Sequence, residues 1–262
     1  MLDILYKRIV VKVGTSTLTY DNGRLNLRRM EKLACVLSDI KNSGTQVVLV
    51  SSGAVAAGAS RVNLDHHPMT LVEKQAMAAI GQSELMRMYE RFFSGYGHQV
   101  GQILLTKSIM DREEPWQNAR NTFSTLLKMG VIPIVNENDS ISYDGIKFGG
   151  NDTLAALVAR VSDADLLVNL SDIDGLYDKN PRENEDAVMI KRVKNIDEEI
   201  FAMAGGEGTV RGTGGMRAKI EAAKTVTEAG IAMVIANGEN PEVLYEIAQG
   251  KGIGTFFAPR TE

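Results

Sequence analysis

Six short runs of apolar, largely β-branched residues constrain the fold more than any other feature of the sequence. They are Arg8–Val13 (RIVVKV), Gln46–Val50 (QVVLV), Val100–Leu105 (VGQILL), Val131–Asn136 (VIPIVN), Asp165–Leu170 (DLLVNL) and Ile231–Ala236 (IAMVIA). Runs this short and this continuously apolar suit strands buried on both faces of a parallel sheet. Helical patterns lie between them, over Leu27–Ser43, Val72–Phe93, Trp116–Met129, Thr153–Val161, Met216–Ala229 and Pro241–Gln249. The alternation predicts an α/β fold, a three-layer αβα sandwich with a mainly parallel central sheet. No repeat, low-complexity tract or Pro/Ser linker divides the 262 residues. They are read as one domain with two lobes, residues 1–163 and 164–258, meeting near Asp163–Asp165. In an open α/β sheet, ligands sit beyond the carboxyl ends of the strands, so function is sought in the loops that follow them.

Composition narrows the function classes. Charged residues at 24% and apolar residues at 44% fit a folded globular chain rather than a disordered one. A formal net charge of −4 supplies no general attraction for nucleic acid. The single cysteine, Cys35, excludes an intrachain disulfide or a Cys-based metal cluster, and three histidines leave little for a zinc site. Asp3, Lys7, Arg8 and Lys12 interrupt the N-terminal stretch, so neither a leader nor a membrane span is expected and the cytoplasm is the expected location.

Five loops carry the chemistry. In Lys12-Val13-Gly14 a lysine ends an apolar strand beside a glycine that lets backbone N–H groups approach an anion. Ser51-Ser52-Gly53-Ala54 opens an Ala/Gly-rich helix whose N-terminus is a ready anion site, or simply a serine cap. Asn136-Glu137-Asn138-Asp139 places four polar residues after a buried strand, more than a turn requires. A loop this rich in carboxylates and amides can hold an ammonium group or a metal ion. Asn151-Asp152 opens the next helix, one residue as its cap and the other facing the site. Finally, six of the eleven residues 205–215 are glycine, and the stretch runs into Met216-Arg217-Ala218-Lys219 at a helix start. A lysine there opposes the helix dipole unless an anion joins it, which favours phosphate handling over a bland surface loop. GxxxxGK[ST], a strand-borne GxGxxG, HExxH, CxxC and G-x-S-x-G are all absent, so a nucleotide user on this chain employs another α/β scaffold.

Taken in order, VKVGTSTLT (11–19), SSGAVAAG (51–58), KQAMAAIGQ (74–82), GQILLT (101–106), NAR (118–120), IPIVNENDS (132–140), GGNDTLAALVA (149–159), SDIDGLYDKNPR (171–182) and GTGGMRAK (212–219) resemble the amino-acid kinase family. They are most similar to its glutamate-phosphorylating branch. The resemblance implies the amino-acid kinase fold and transfer of the γ-phosphoryl of ATP, with Mg²⁺, to the side-chain carboxylate of L-glutamate on the way to proline. It implies that Lys12 and Lys219 stabilise the moving phosphoryl group while Asp152 positions both lysines. Ser52, Asp139 and Asn151 would hold glutamate. Ser171, Asp172, Thr213, Gly214, Gly215, Met216, Arg217, Ala218, Lys219 and Lys12 would line the nucleotide site. Members of that family commonly carry a hydroxyl residue where Ala218 stands. Many continue into a small RNA-binding PUA domain that would begin soon after Gly254–Phe257, so a form without that domain, binding no nucleic acid and no membrane, is expected. Feedback inhibition by proline and assembly as a homodimer or homotetramer are also implied. The helix Val72–Phe93, with Met77, Ile80, Leu85, Met86, Met88 and Phe92 at helical spacing, fits either a subunit interface or core packing. Other acceptors on the same scaffold (acetylglutamate, carbamate, aspartate, UMP) and a non-catalytic nucleotide-binding protein are the competing readings.

Overall fold

The computed structural model describes residues 2–20, 22–62, 70–141, 151–205 and 215–260. Its elements run β1 (Arg8–Val13), α1 (Thr15–Leu18), α2 (Leu27–Asn42), β2 (Gln46–Ser51), α3 (Ala54–Arg61), α4 (Leu71–Gly95), β3 (Val100–Leu105), a 3₁₀ turn (Lys107–Asp111), α5 (Glu113–Lys128) and β4 (Ile132–Glu137). The chain continues with α6 (Asn151–Val161), β5 (Leu166–Ser171), β6 (Arg192–Val193), α7 (Glu198–Met203), α8 (Met216–Thr227), β7 (Ala232–Asn237), α9 (Val243–Ala248) and β8 (Thr255–Phe257). Local chemistry starts the long helices where expected. The Asn26 side chain accepts from Arg29 N at 3.0 Å ahead of α2, and Thr70 and Glu73 form a reciprocal capping box ahead of α4.

One eight-stranded sheet has the order β3-β4-β2-β1-β5-β7-β8-β6. Every pairing is parallel except β7 with β8. The two-residue alternation of β1 divides the interior. Ile9, Val11 and Val13 join a cluster with α2, α3, α4 and α9, while Val10 joins a second cluster with α5, α6 and α8. These are the two outer layers of the expected sandwich, with the sheet between them.

The sequence reading differs from the structure in instructive places. Strands β4, β5 and β7 begin and end one residue later than expected, so Glu137, Ser171 and Asn237 become their last residues. Asp165 precedes β5 because its carboxylate accepts from Lys7 N at 2.8 Å and Arg8 N at 2.7 Å, closing the edge remote from the site. Asn151 and Asp152 are the first two residues of α6 rather than its cap. The glycine-rich loop follows a helix, α7, and not a strand. Strands β6 and β8 are two and three residues long, too short to show alternation in a sequence. On α4, Leu85 and Met88 are buried and Met86 and Phe92 pack against the same core, whereas Ile80 is 37% exposed. Most of that helix's apolar face is therefore core.

Candidate active site

Because β1, β2, β4, β5 and β7 are parallel, their carboxyl ends emerge at one edge of the sheet. Strand β1 leads to β2 on one side, while β5 enters on the other. Crevices in open α/β sheets open at such a reversal. Lys12 lies there, next to last in β1 and directly opposite Asn169 of β5. Alternation turns both side chains toward the α6 and α8 layer. Asp152, in the first turn of α6, meets them: its Oδ1 is 2.6 Å from Lys12 Nζ, and its Oδ2 accepts from Lys219 Nζ at 3.1 Å. Asn169 Nδ2 donates to the same Oδ1 at 2.8 Å. Lys12, Asp152, Asn169 and Lys219 are all buried. Burial by itself raises a carboxyl, but the two ammoniums outweigh it and Asp152 lies below the usual carboxylate range. Burial pushes the Lys12 ammonium down, Asp152 opposes that, and the like charge of Lys219 adds to it. The result is an ionised carboxylate holding two cations in one desolvated place.

A second polar group borders it on the β2 and β4 side. Asn151 Nδ2 lies 2.6 Å from Ser51 O, 3.1 Å from Ser52 Oγ and 2.8 Å from Asn136 Oδ1, so two hydrogens serve three acceptors. Asn136 Nδ2 donates to Gln82 Oε1 at 2.8 Å, and Ser51 Oγ lies 2.8 Å from Tyr89 OH. Beyond Asn136, Glu137 is buried and Asp139 is partly buried. Desolvation, with Glu137 nearby, raises the Asp139 carboxyl to about 6. This region is a pocket wall of amides, a hydroxyl and carboxylates.

On the other side of β1, Ser171 ends β5 and donates to Asp172 Oδ1 at 3.2 Å, while Arg182 Nη2 reaches Asp172 Oδ2 at 3.3 Å. Asn237, ending β7, donates to Asp174 at 2.8 Å. Gly215 caps α8 and Met216 packs against the α6 and α8 core. Arg217 turns away, pairing with Glu221 at 3.4 Å and lying over the Phe201 ring at 5.8 Å. Ala218 is partly buried. Thr213 and Gly214 lie outside the described residues, as do 148–150 of the fourth loop.

The structure thus brings together Lys12, Asp152 and Lys219, and separately Ser52 and Asn151. Sequence reasoning passed over Asn169, Gln82 and Tyr89. Asn169 had a signal, a lone amide inside the apolar run DLLVNL, since a buried polar group in a strand needs a reason. Gln82 and Tyr89 had none, because their partners are distant in sequence.

The described residues contain no group of three or more His, Cys, Asp and Glu side chains placed to hold a metal ion. Nor, among them, is any helix long and apolar enough to cross a membrane.

Comparison with known proteins identifies the family. Residues 7–237 match the Amino acid kinase family. A glutamate 5-kinase of Clostridium perfringens is 55% identical over 258 residues, covering 97% of this chain and 96% of that protein. One from Listeria monocytogenes serovar 1/2a is 49% identical, covering 98% and 94%. One from Thermoanaerobacter sp. is 53% identical over 96% of this chain but only 68% of its own length. Among solved structures, the UMP kinase of Bacillus anthracis superposes with a TM-score of 0.66 at 18% identity, covering 98% of this chain and 97% of its own, a likeness of fold. With a parallel sheet, a two-lysine carboxylate at its switch point and these relatives, the chain belongs to the amino acid kinase family.

Proposed function

We propose that this chain is an ATP-dependent kinase that phosphorylates the side-chain carboxylate of L-glutamate to L-glutamyl 5-phosphate, the first step of proline biosynthesis. The observation that carries the reading is the buried Lys12–Asp152–Lys219 array at the sheet's switch point. A loose phosphoryl-transfer transition state spreads negative charge over its oxygens, so catalysis is mainly positioning and fixed cations. Lys12 arrives on β1 and Lys219 on α8, and Asp152 aims both without consuming all of their charge. A carboxylate acceptor is ionised near pH 7, so no general base is needed.

The acceptor would lie on the β2 and β4 side, where Ser52, Asn151 and Asp139 offer a hydroxyl, an amide and a carboxylate. Asp139 would meet the substrate ammonium. The same carboxylates disfavour a nucleotide acceptor, whose phosphate would want cations there. The ATP would lie on the β5 and β7 side, along Ser171, Asp172 and residues 215–219. This assigns the acceptor to residues of about 1–163 and the nucleotide to about 164–258. Magnesium typically binds through substrate phosphates and one or two carboxylates. It would therefore enter with ATP, its role being to neutralise phosphate charge. We assign the protein to the cytoplasm as a homodimer or homotetramer, subject to proline inhibition.

Hydroxamate formation with ATP, Mg²⁺ and hydroxylamine tests the reading across glutamate, N-acetylglutamate and aspartate. Glutamate-dependent hydroxamate is the expected outcome, with none from N-acetylglutamate, which lacks the ammonium. Brisk turnover of N-acetylglutamate, or no hydroxamate from any acceptor, overturns it.

A further inference from the structure

We propose that Asn169 is a positioning residue for phosphoryl transfer: its side-chain amide fixes the Asp152 carboxylate and, through it, the Lys12 and Lys219 ammoniums. The inference rests on the kinase reading above and goes beyond it. Asn169 is fully buried in β5, flanked by Val168 and Leu170, in a strand whose other positions are apolar but for the terminal Ser171. Its Nδ2 donates to Asp152 Oδ1, the oxygen that also meets Lys12, while its own Oδ1 finds no hydrogen-bond partner among the described residues. Reversing the amide would set that oxygen against a carboxylate, so the donor end is the one that faces Asp152.

A buried acceptor left unmade carries the full desolvation penalty of the group. A leucine, with the same number of side-chain heavy atoms and the same branching at Cγ, would sit there without that penalty and match its neighbours. That penalty offsets much of what the bond to Asp152 contributes, so stability is a weak reason for the amide and the orientation of the carboxylate is the stronger one. Lysine stems are long and flexible, so two ammoniums alone do not fix the rotation of the carboxylate they share. A neutral donor on a rigid central strand fixes one carboxylate oxygen without competing for phosphate. Asp152 is faced by Lys12 from β1, Lys219 from α8 and Asn169 from β5, with Asp172 acting on Lys12 from beyond β5.

The test compares wild-type protein with Asn169→Leu and Asn169→Asp. For Asn169→Leu, kcat is expected to fall roughly tenfold or more with KM for ATP and glutamate held, as misplaced reacting groups cost rate rather than binding. Its Tm at pH 7 should change little, because the donor lost to Asp152 and the unmade acceptor removed with Asn169 Oδ1 offset one another. The acid limb of kcat should move to higher pH, because the charged form of Asp152 has lost a donor, and further still in Asn169→Asp, where a second carboxylate stands beside it. Wild-type kcat and acid limb in Asn169→Leu overturn the inference, and so does a fall in kcat that comes with a matching fall in Tm and in nucleotide binding. Failure of the kinase reading shows separately, as wild-type protein without glutamate-dependent hydroxamate. In that event acid unfolding still decides. Asp152 is held low in the folded chain, so its contribution is present above the ordinary carboxyl range and lost as pH falls through the folded value. In Asn169→Leu the contribution should be smaller and its loss complete at higher pH, and superimposable acid-unfolding curves overturn the inference.

Discussion

With Lys12 and Lys219 both against Asp152, the site holds two buried cations and one buried anion. A buried ion pair is weak as a stability device, because desolvation offsets much of the attraction. Its value here lies in orientation. Lys219→Ala leaves Asp152 paired with Lys12, so the fold should survive while kcat falls of order 10²-fold or more from loss of a preorganised charge. Steady-state hydroxamate kinetics decide this, and a change confined to ATP affinity would remove Lys219 from catalysis. Asp139 makes a different prediction. Its carboxyl stands at about 6 in the folded chain against an ordinary 3.8, so protons compete with a substrate ammonium below that pH. kcat/KM for glutamate should fall about tenfold per pH unit below it, as for one required ionisation, and Asp139→Asn should abolish that limb while weakening glutamate binding. The stability sign runs the other way: a raised carboxyl adds stability below its unfolded value, and this is lost as pH rises through about 6. Thermal unfolding between pH 4 and 7 reads that contribution, and a limb unmoved in Asp139→Asn would exclude the residue. Lys12 and Lys219 were legible because a lysine that ends an apolar strand or starts a helix is locally anomalous, whereas Asp152 stood out only as a second polar residue beside a helix cap. Asn169 differed only in standing among apolar neighbours, and nothing local tells what it faces.

Two helices meet the site through glycine. A Cβ on Gly81 of α4 would lie 1.8 Å from Ala54 O and one on Gly58 of α3 would lie 1.9 Å from Met77 O, so the two backbones touch. Just ahead of that crossing is Ser52, and Gln82, which holds Asn136, comes directly after Gly81. Gly81→Ala must push α3 from α4, and overpacking of this kind costs about 1–3 kcal/mol. Calorimetry should show the lower stability, and kinetics a raised KM for glutamate with KM for ATP little changed, since the ATP side lies across β1. An unaltered Tm would mean that the crossing relaxes freely. The glycines of GASR and AIGQ stand out within helical patterns. Their partner, however, is another segment's carbonyl, which no local pattern names. Helix extents were legible to within a few residues from apolar spacing and caps, because those are properties of neighbours in sequence.

Over the whole molecule, β1 is the seam. It pairs with β2 on one side and β5 on the other, and Arg8 at its start bonds Gln46 Oε1 at 2.8 Å and also Ser162 O. At the far side β8 returns antiparallel to β7 and covers its edge, with Phe257 fully buried and the Thr255 hydroxyl accepting from Leu176 N at 2.8 Å. Phe257→Ala should therefore cost about 3–5 kcal/mol, as other large-to-small core changes do. Denaturant unfolding measures it, and a loss below about 1 kcal/mol would mean that β8 is an ornament of the edge. The amino-acid sequence alone determined the α/β class, the parallel strands and the loops at which to look, because periodicity, β-branching and helix signals act over a few residues. Strand order, the one crossing that runs antiparallel, and the meeting of Lys12, Asp152, Asn169 and Lys219 were decided only in the tertiary structure. Those contacts join residues up to 157 positions apart, as where Ile9 of β1 pairs with Leu166 of β5. They exist because burying the apolar faces of the sheet leaves few ways to pack its helices, and no local preference encodes which one is taken.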